Sequence, residues 1–206
     1  MDFTYRRTVK IIGALLLLAA LSQPLYTALY MTAPEVSRKF IWSFEAFIFV
    51  LMLPFAGAAL VQSKRLALGF SAIAFSAVLN VIQVGVGLTQ FGPVRAAAQL
   101  NSDLGGVASS VVGFSFFGYN AAKMLLGFAA VVFGLAIVKA NSGSLRKALG
   151  GAAVVVGAAA FAANALVMML GIQGVVPRPL AGGTGVLAAL FLGLCLLSLK
   201  PETDAV

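Results

Sequence analysis

The chain contains no histidine, one cysteine (Cys195) and only 10% charged residues. Each shortage closes off chemistry. Without histidine there is no His-ligated haem and no ordinary zinc site, and a lone cysteine deep in an apolar run excludes internal disulfides and CxxC redox pairs. No cofactor or metal is therefore expected. The low charge stands against 61% apolar side chains in 206 residues and a mean hydropathy of +1.04. A soluble domain carries roughly 45–50% apolar and about 25% charged residues, so a water-soluble globule is excluded. Lys and Arg outnumber Asp and Glu by 14 to 6, a net charge of +8. In so apolar a chain that surplus belongs at membrane boundaries rather than on a nucleic-acid-binding face. The lipid bilayer is the expected partner, and nucleic acid is not.

What is present is a series of long apolar runs. A bilayer core of ~30 Å needs about 20 residues of helix, and segments 11–31, 40–61, 66–91, 111–138, 148–172 and 180–199 reach that length. Their unalternating pattern does not fit a transmembrane barrel. The sequence predicts an all-α, polytopic bundle of six transmembrane helices in one domain. Thr32-Ala33-Pro34-Glu35, Ser63-Lys64-Arg65, Asn141-Ser142-Gly143-Ser144 and Pro177-Arg178-Pro179 mark boundaries. With the N-terminus inside, Arg6, Arg7, Lys10, Lys64, Arg65, Lys139, Arg146, Lys147 and Lys200 are cytoplasmic, and Arg38, Lys39, Arg95 and Arg178 are external. That bias favours N-in, C-in. Ala20-Leu21-Ser22 resembles a cleavage site, but the first span is expected to be retained as a helix.

Most connections are short, so sequence neighbours should be antiparallel neighbours. The exception is 92–110, an expected outer loop whose centre, Val94 to Leu100, can form a short surface helix started by Pro93. Pro24 and Pro54 each remove a helix hydrogen bond inside a span.

Polar side chains are costly in hydrocarbon and usually face the bundle interior. In the third span Gly69, Ala72, Ser76, Asn80, Gln83, Gly87 and Gln90 recur every three or four residues, on one helical face. The fourth span carries Asn120, Lys123, Gly127, Ala130 and Gly134, and the fifth Gly150, Ala153, Gly157, Ala160 and Asn164. Small residues lie toward the cytoplasm and polar ones toward the outside. The inner halves of these three helices are thus expected to close tightly together. Counting 1.5 Å per residue from the outer ends puts Glu45 about 8 Å deep, Gln23, Gln83 and Asn164 about 12 Å, Asn80 about 17 Å and Lys123 about 18 Å. An inverted-repeat transporter would place half of them on the inner side, so the asymmetry favours an outward cup plugged below.

Lys123 and Glu45 are the charges clearly within spans. Each needs the other, a hydrated cavity or neutralisation. Either they share an ion pair or polar network, or Glu45 is solvated beside Trp42 while Lys123 bonds Asn120 and Asn80. Trp42, Tyr26, Tyr30 and Phe91 read as interfacial anchors. Phe114, Phe116, Phe117 and Tyr119 can wall the cup.

One intramembrane Glu supplies neither a carboxylate pair nor a nucleophile with its base, and Ser109, Ser110 and Ser115 have no base nearby other than Lys123. No enzymatic activity is expected. Phe117-Gly118-Tyr119-Asn120, Leu126-Gly127-Phe128 and the connection Ser142 to Gly150 together resemble an uncharacterised bacterial six-helix membrane family of unknown function. The resemblance implies a six-helix bundle in a bacterial cytoplasmic membrane and carries no activity. Two classes stay open. One is a protein binding or translocating a small polar or lipidic ligand among Gln23, Glu45, Asn80, Gln83, Tyr119, Asn120, Lys123 and Asn164. The other is a non-catalytic accessory subunit that pairs with another membrane protein or with its own copies.

Overall fold

The computed structural model describes residues 4–33, 35–140, 143–171 and 178–199. Pro34, Asn141, Ser142, Pro177, Lys200 and the Arg178 side chain, used above as punctuation or charge markers, lie outside the described residues. The described chain is helical, without a strand: α1 (Tyr5–Thr32), α2 (Lys39–Gln62), α3 (Ala67–Thr89), α4 (Phe91–Leu100), a 3-10 turn (Ser102–Leu104), α5 (Gly105–Lys139), α6 (Ser144–Leu170) and α7 (Arg178–Ser198). Six of these helical stretches are long and apolar enough to cross a membrane. The protein is an integral, multi-pass helical bundle.

Local chemistry sets several boundaries. Thr4 caps α1, its hydroxyl accepting from the Arg7 N–H at 3.4 Å. Pro24 and Pro54 are carried inside continuous α1 and α2. The segment 92–110 is mostly helical. Pro93 falls in the first turn of α4, where its missing N–H has no helical partner to lose, and the helix over Val94–Leu100 is realised. Asn101 then accepts from the Asp103 N–H at 3.0 Å, and α5 starts immediately after the turn.

The packing order follows from the connections. α1 packs on α2 and α7, α2 on α3, α3 on α5, and α5 on α7, which closes a ring of five helices. Among the described residues α6 packs only on α5 and α7, outside that ring. Nor do any two described helices meet backbone to backbone across the ring, so side chains must fill it. In the half nearer the termini they are large and apolar, including Ile12, Leu16, Phe49, Met52, Phe70, Leu126, Phe133 and Leu192. Phe70 and Phe133 meet edge to face with centroids 4.9 Å apart.

Glycine sets the closest approaches. A Cβ on Gly127 would lie 2.6 Å from the Gly157 carbonyl oxygen, and one on Gly134 would lie 2.6 Å from that of Gly150. These two reciprocal pairs bring α5 and α6 into backbone contact. Gly13 and Gly193 do the same for α1 and α7, each 3.0 Å from the other's carbonyl. The expected joint closure of three helices is thereby corrected. α3 and α6 do not touch, because α5 stands between them. Gly69 instead makes room for the Phe133 ring, whose Cε2 would be 2.6 Å from a Cβ there.

Candidate functional site

The polar residues of five helices fall in the half of the bundle nearer α4, with glycines and a backbone carbonyl of α7 beside them. Interhelical contacts fix the alignment. The Ser76 hydroxyl of α3 donates to the Ala122 carbonyl of α5 at 2.9 Å. On α7, Gly182 lies against the Tyr119 hydroxyl and Gly185 against the Lys123 stem. Asn164 of α6 donates to the Ala181 carbonyl of α7 at 3.3 Å.

Four of the residues read from the sequence form a continuous chain within the ring. Gln23 of α1 directs its amide N–H groups at both oxygens of the Glu45 carboxylate, at 2.8 and 3.0 Å. The Tyr119 hydroxyl of α5 donates to the Gln23 amide oxygen at 3.3 Å. One turn further along α5, the Lys123 ammonium lies 5.1 Å from the Tyr119 ring centroid, within cation–π range. Glu45 and Lys123 are 3% and 2% exposed. The two charges act on each other through space, while the direct hydrogen bonds to the carboxylate come from Gln23.

The lysine stem fits because α7 offers glycine where it passes. A Cβ on Gly185 would sit 2.8 Å from the Lys123 Cγ. Gly185 and Gly182 were not singled out in the sequence, since they have no polar group to notice. The signal that could have found them is the Gly182-Gly183-Thr184-Gly185 run, unusually small-residue-rich for a helix facing the only buried lysine of the described chain.

The other predicted residues are held separately. Asn80 donates to the Ser76 carbonyl on its own helix at 3.0 Å, Asn120 to Phe116 at 2.7 Å, and Asn164 to Ala160 at 2.8 Å. All three are buried. The amide oxygens of Asn80 and Asn164 have no hydrogen-bond partner among the described residues. Gln83 donates to the Ser115 hydroxyl at 3.4 Å, and that hydroxyl donates back to the Gln83 carbonyl at 3.3 Å. Ser115 is thereby engaged by α3 rather than by Lys123. Ser110 donates to the Gly106 carbonyl of its own helix at 2.9 Å.

An aromatic plate roofs the chain on the α4 side. Tyr26 and Trp42 stack with centroids 5.7 Å apart and 12° between planes, and Phe91 meets Trp42 edge-on at 5.9 Å. Each of the first two lies about one turn from a site residue, Tyr26 from Gln23 and Trp42 from Glu45. Gly87 leaves the space for Trp42, whose Cζ3 would be 2.9 Å from a Cβ there. Arg38 lies over Tyr26 and Tyr30, with its Cζ 5.4 and 4.8 Å from their centroids, and Arg95 lies over Phe91 at 5.5 Å. Three of the four expected anchors, Tyr26, Trp42 and Phe91, thus form one aromatic cluster, and Arg38 and Arg95 lie over its rings.

Chemically the layer offers a carboxylate, an ammonium, a phenol and a carboxamide in series. Among the described residues no three His, Cys, Asp or Glu side chains cluster as metal ligands would. No family model, curated protein or solved structure matches this chain.

Proposed function

We infer that the protein is a multi-pass protein of a bacterial cytoplasmic membrane that holds a small polar or lipidic ligand, without catalysing its conversion, in the layer of Gln23, Glu45, Tyr119 and Lys123. The α4 end faces outward and both termini face the cytoplasm. The observation that carries this reading is the separation of the two buried charges. Glu45 is held by Gln23, and Lys123 lies against the Tyr119 ring. Two opposite charges kept in one interior without collapsing onto each other leave electrostatic capacity for a third group. Orientation is supported by the cations Arg6, Arg7, Lys10, Lys64, Arg65, Lys139, Arg146 and Lys147 at the end that carries the termini. Apolar packing below the layer favours a closed inner half and binding rather than free passage.

Asn80, Asn120 and Asn164 favour a second reading. Each donates to a carbonyl of its own helix, and Asn164 also to the Ala181 carbonyl of α7, as expected of a filled interior in an accessory subunit that associates with another membrane protein or with its own copies. Accessibility separates the two readings. In a Cys195→Ser background, Lys123→Cys and, as a milder variant, Tyr119→Cys are treated with a membrane-impermeant, negatively charged thiol reagent from either side of sealed vesicles. Labelling of both from the outer face only is the expected result. If a folded protein stays unlabelled from both faces, the layer is sealed and the accessory reading replaces ours. A control cysteine at Gly143 should label only from the cytoplasmic face, and external labelling there would invert the orientation.

A further inference from the structure

On the outer flank of the bundle, α1 and α2 leave an apolar groove of about 260 Å³ between Leu18, Leu21 and Leu25 on one side and Phe40, Ile41 and Phe44 on the other. Leu21, Leu25 and Phe40 are 64%, 54% and 80% exposed, so the groove opens toward lipid. Ser22 also borders it, but its hydroxyl is committed to the Ala19 carbonyl at 2.8 Å. The groove therefore has shape and no free polar group to offer. From Leu25 to Leu18 it descends roughly 10 Å into the span.

The residues that lead into its Phe40 and Ile41 are cationic. Phe40 and Ile41 directly follow Arg38 and Lys39, where α2 begins. Lys39 is exposed, and Arg38 is half-buried with its guanidinium held over Tyr26 and Tyr30. The Arg38 Nη1 is buried and has no hydrogen-bond partner among the described residues. That enclosed nitrogen is out of an external ligand's reach, and it is the rest of the half-buried guanidinium whose planar fork suits a carboxylate or phosphate. At this depth, beside an apolar channel that enters the hydrocarbon, the anion with a chain attached is a phospholipid.

We propose that the α1–α2 groove is a binding site for one phospholipid, with its phosphate on Arg38 and Lys39 and one acyl chain laid along Leu25, Leu21 and Leu18. Two cations exceed the charge of one phosphate, so a net-anionic head is preferred over a zwitterionic one. This site opens to lipid, whereas the bonded carboxylate is buried, and it does not depend on a ligand being held in the polar layer.

Native mass spectrometry of the full chain in detergent tests it, with palmitoyl-oleoyl phosphatidylglycerol, the matching phosphatidylcholine and dioleoylglycerol added singly. Phosphatidylglycerol should give the highest occupancy and dioleoylglycerol the lowest. Lys39→Ala and Arg38→Ala should each weaken phosphatidylglycerol about fivefold. Leu21→Trp, at a position exposed enough to accept it, fills the groove and should weaken both phospholipids alike. Equal binding of all three lipids, or binding indifferent to both Lys39→Ala and Leu21→Trp, overturns the proposal. Competition of the phosphatidylglycerol signal by millimolar inorganic phosphate, with Leu21→Trp having no effect, would assign Arg38 to a soluble anion and also overturn it.

Discussion

Replacing Glu45 with Gln, or Lys123 with Met, is expected to destabilise the bundle by about 1–3 kcal/mol, since the buried charge left behind loses a through-space attraction although no direct ion pair is broken. Making both replacements together should recover much of that loss. The asymmetry arises because each side chain is almost fully removed from solvent while feeling the other's charge. With one charge gone, the survivor keeps its desolvation cost and loses its attraction. With both gone, the carboxamide introduced in place of the Glu45 carboxylate can still take a hydrogen bond from Gln23, and the methionine introduced in place of Lys123 can lie along Gly185 as the lysine stem does. Thermal or denaturant unfolding in detergent of the wild type, the two singles and the double gives the coupling energy. A coupling near zero would mean that the two charges do not sense each other and that Gln23 and the Tyr119 ring satisfy them separately.

The second large effect belongs to the α5–α6 seam. Gly127→Leu and Gly134→Leu should each cost about 3 kcal/mol, the upper part of the overpacking range. A side chain there meets the opposing backbone, which cannot move aside as a flexible side chain could. The Gly157 and Gly150 carbonyl oxygens both lie 2.6 Å from the new Cβ. Even Gly127→Ala should therefore be felt. Gly151 is the internal control. It lies in α6 with nothing within 4 Å of a Cβ, so Gly151→Ala should be neutral or stabilise the helix by about 0.5–1 kcal/mol. Equal melting of the Gly127→Leu, Gly151→Ala and wild-type proteins would show that α5 and α6 are not packed through these glycines.

The number and extent of the helices were legible because hydrocarbon thickness and backbone hydrogen bonding leave few choices to so apolar a chain. The small-residue stripes on α5 and α6 were legible for a similar reason: spacing at three, four and seven residues defines a face whatever lies opposite. What lies opposite was not. Gly69 carries the same periodic signal as Gly127, yet it receives a phenylalanine ring rather than a helix backbone. Periodicity places a residue on a face and says nothing of which neighbour occupies the gap. In the polar layer, the depth count put Gln23, Glu45 and Lys123 in the same half of the bundle, and Tyr119 was read as part of the cup wall. Their hydrogen bonding could not be read from depth, since it depends on the ring order of the helices. For the same reason depth could not show that Asn80 and Asn120 bond within their own helices while Asn164 also reaches the Ala181 carbonyl of α7. Gly182 and Gly185 contribute by having no side chain, which no inventory of polar residues detects.

The ring order also has a consequence for biogenesis. Gln23 and Glu45 sit on consecutive helices, so the carboxylate can enter the membrane with its hydrogen-bond donor already beside it, within the α1–α2 hairpin. Lys123 and Asn164 arrive later and without that provision. Their cover is α7, through Gly185 and the Ala181 carbonyl, and α7 also closes the circle against α1 at Gly13 and Gly193. A nascent chain that has inserted α1 to α6 but not α7 therefore exposes an ammonium and a carboxamide on an unsealed flank. The arrival of α7 ends that exposure.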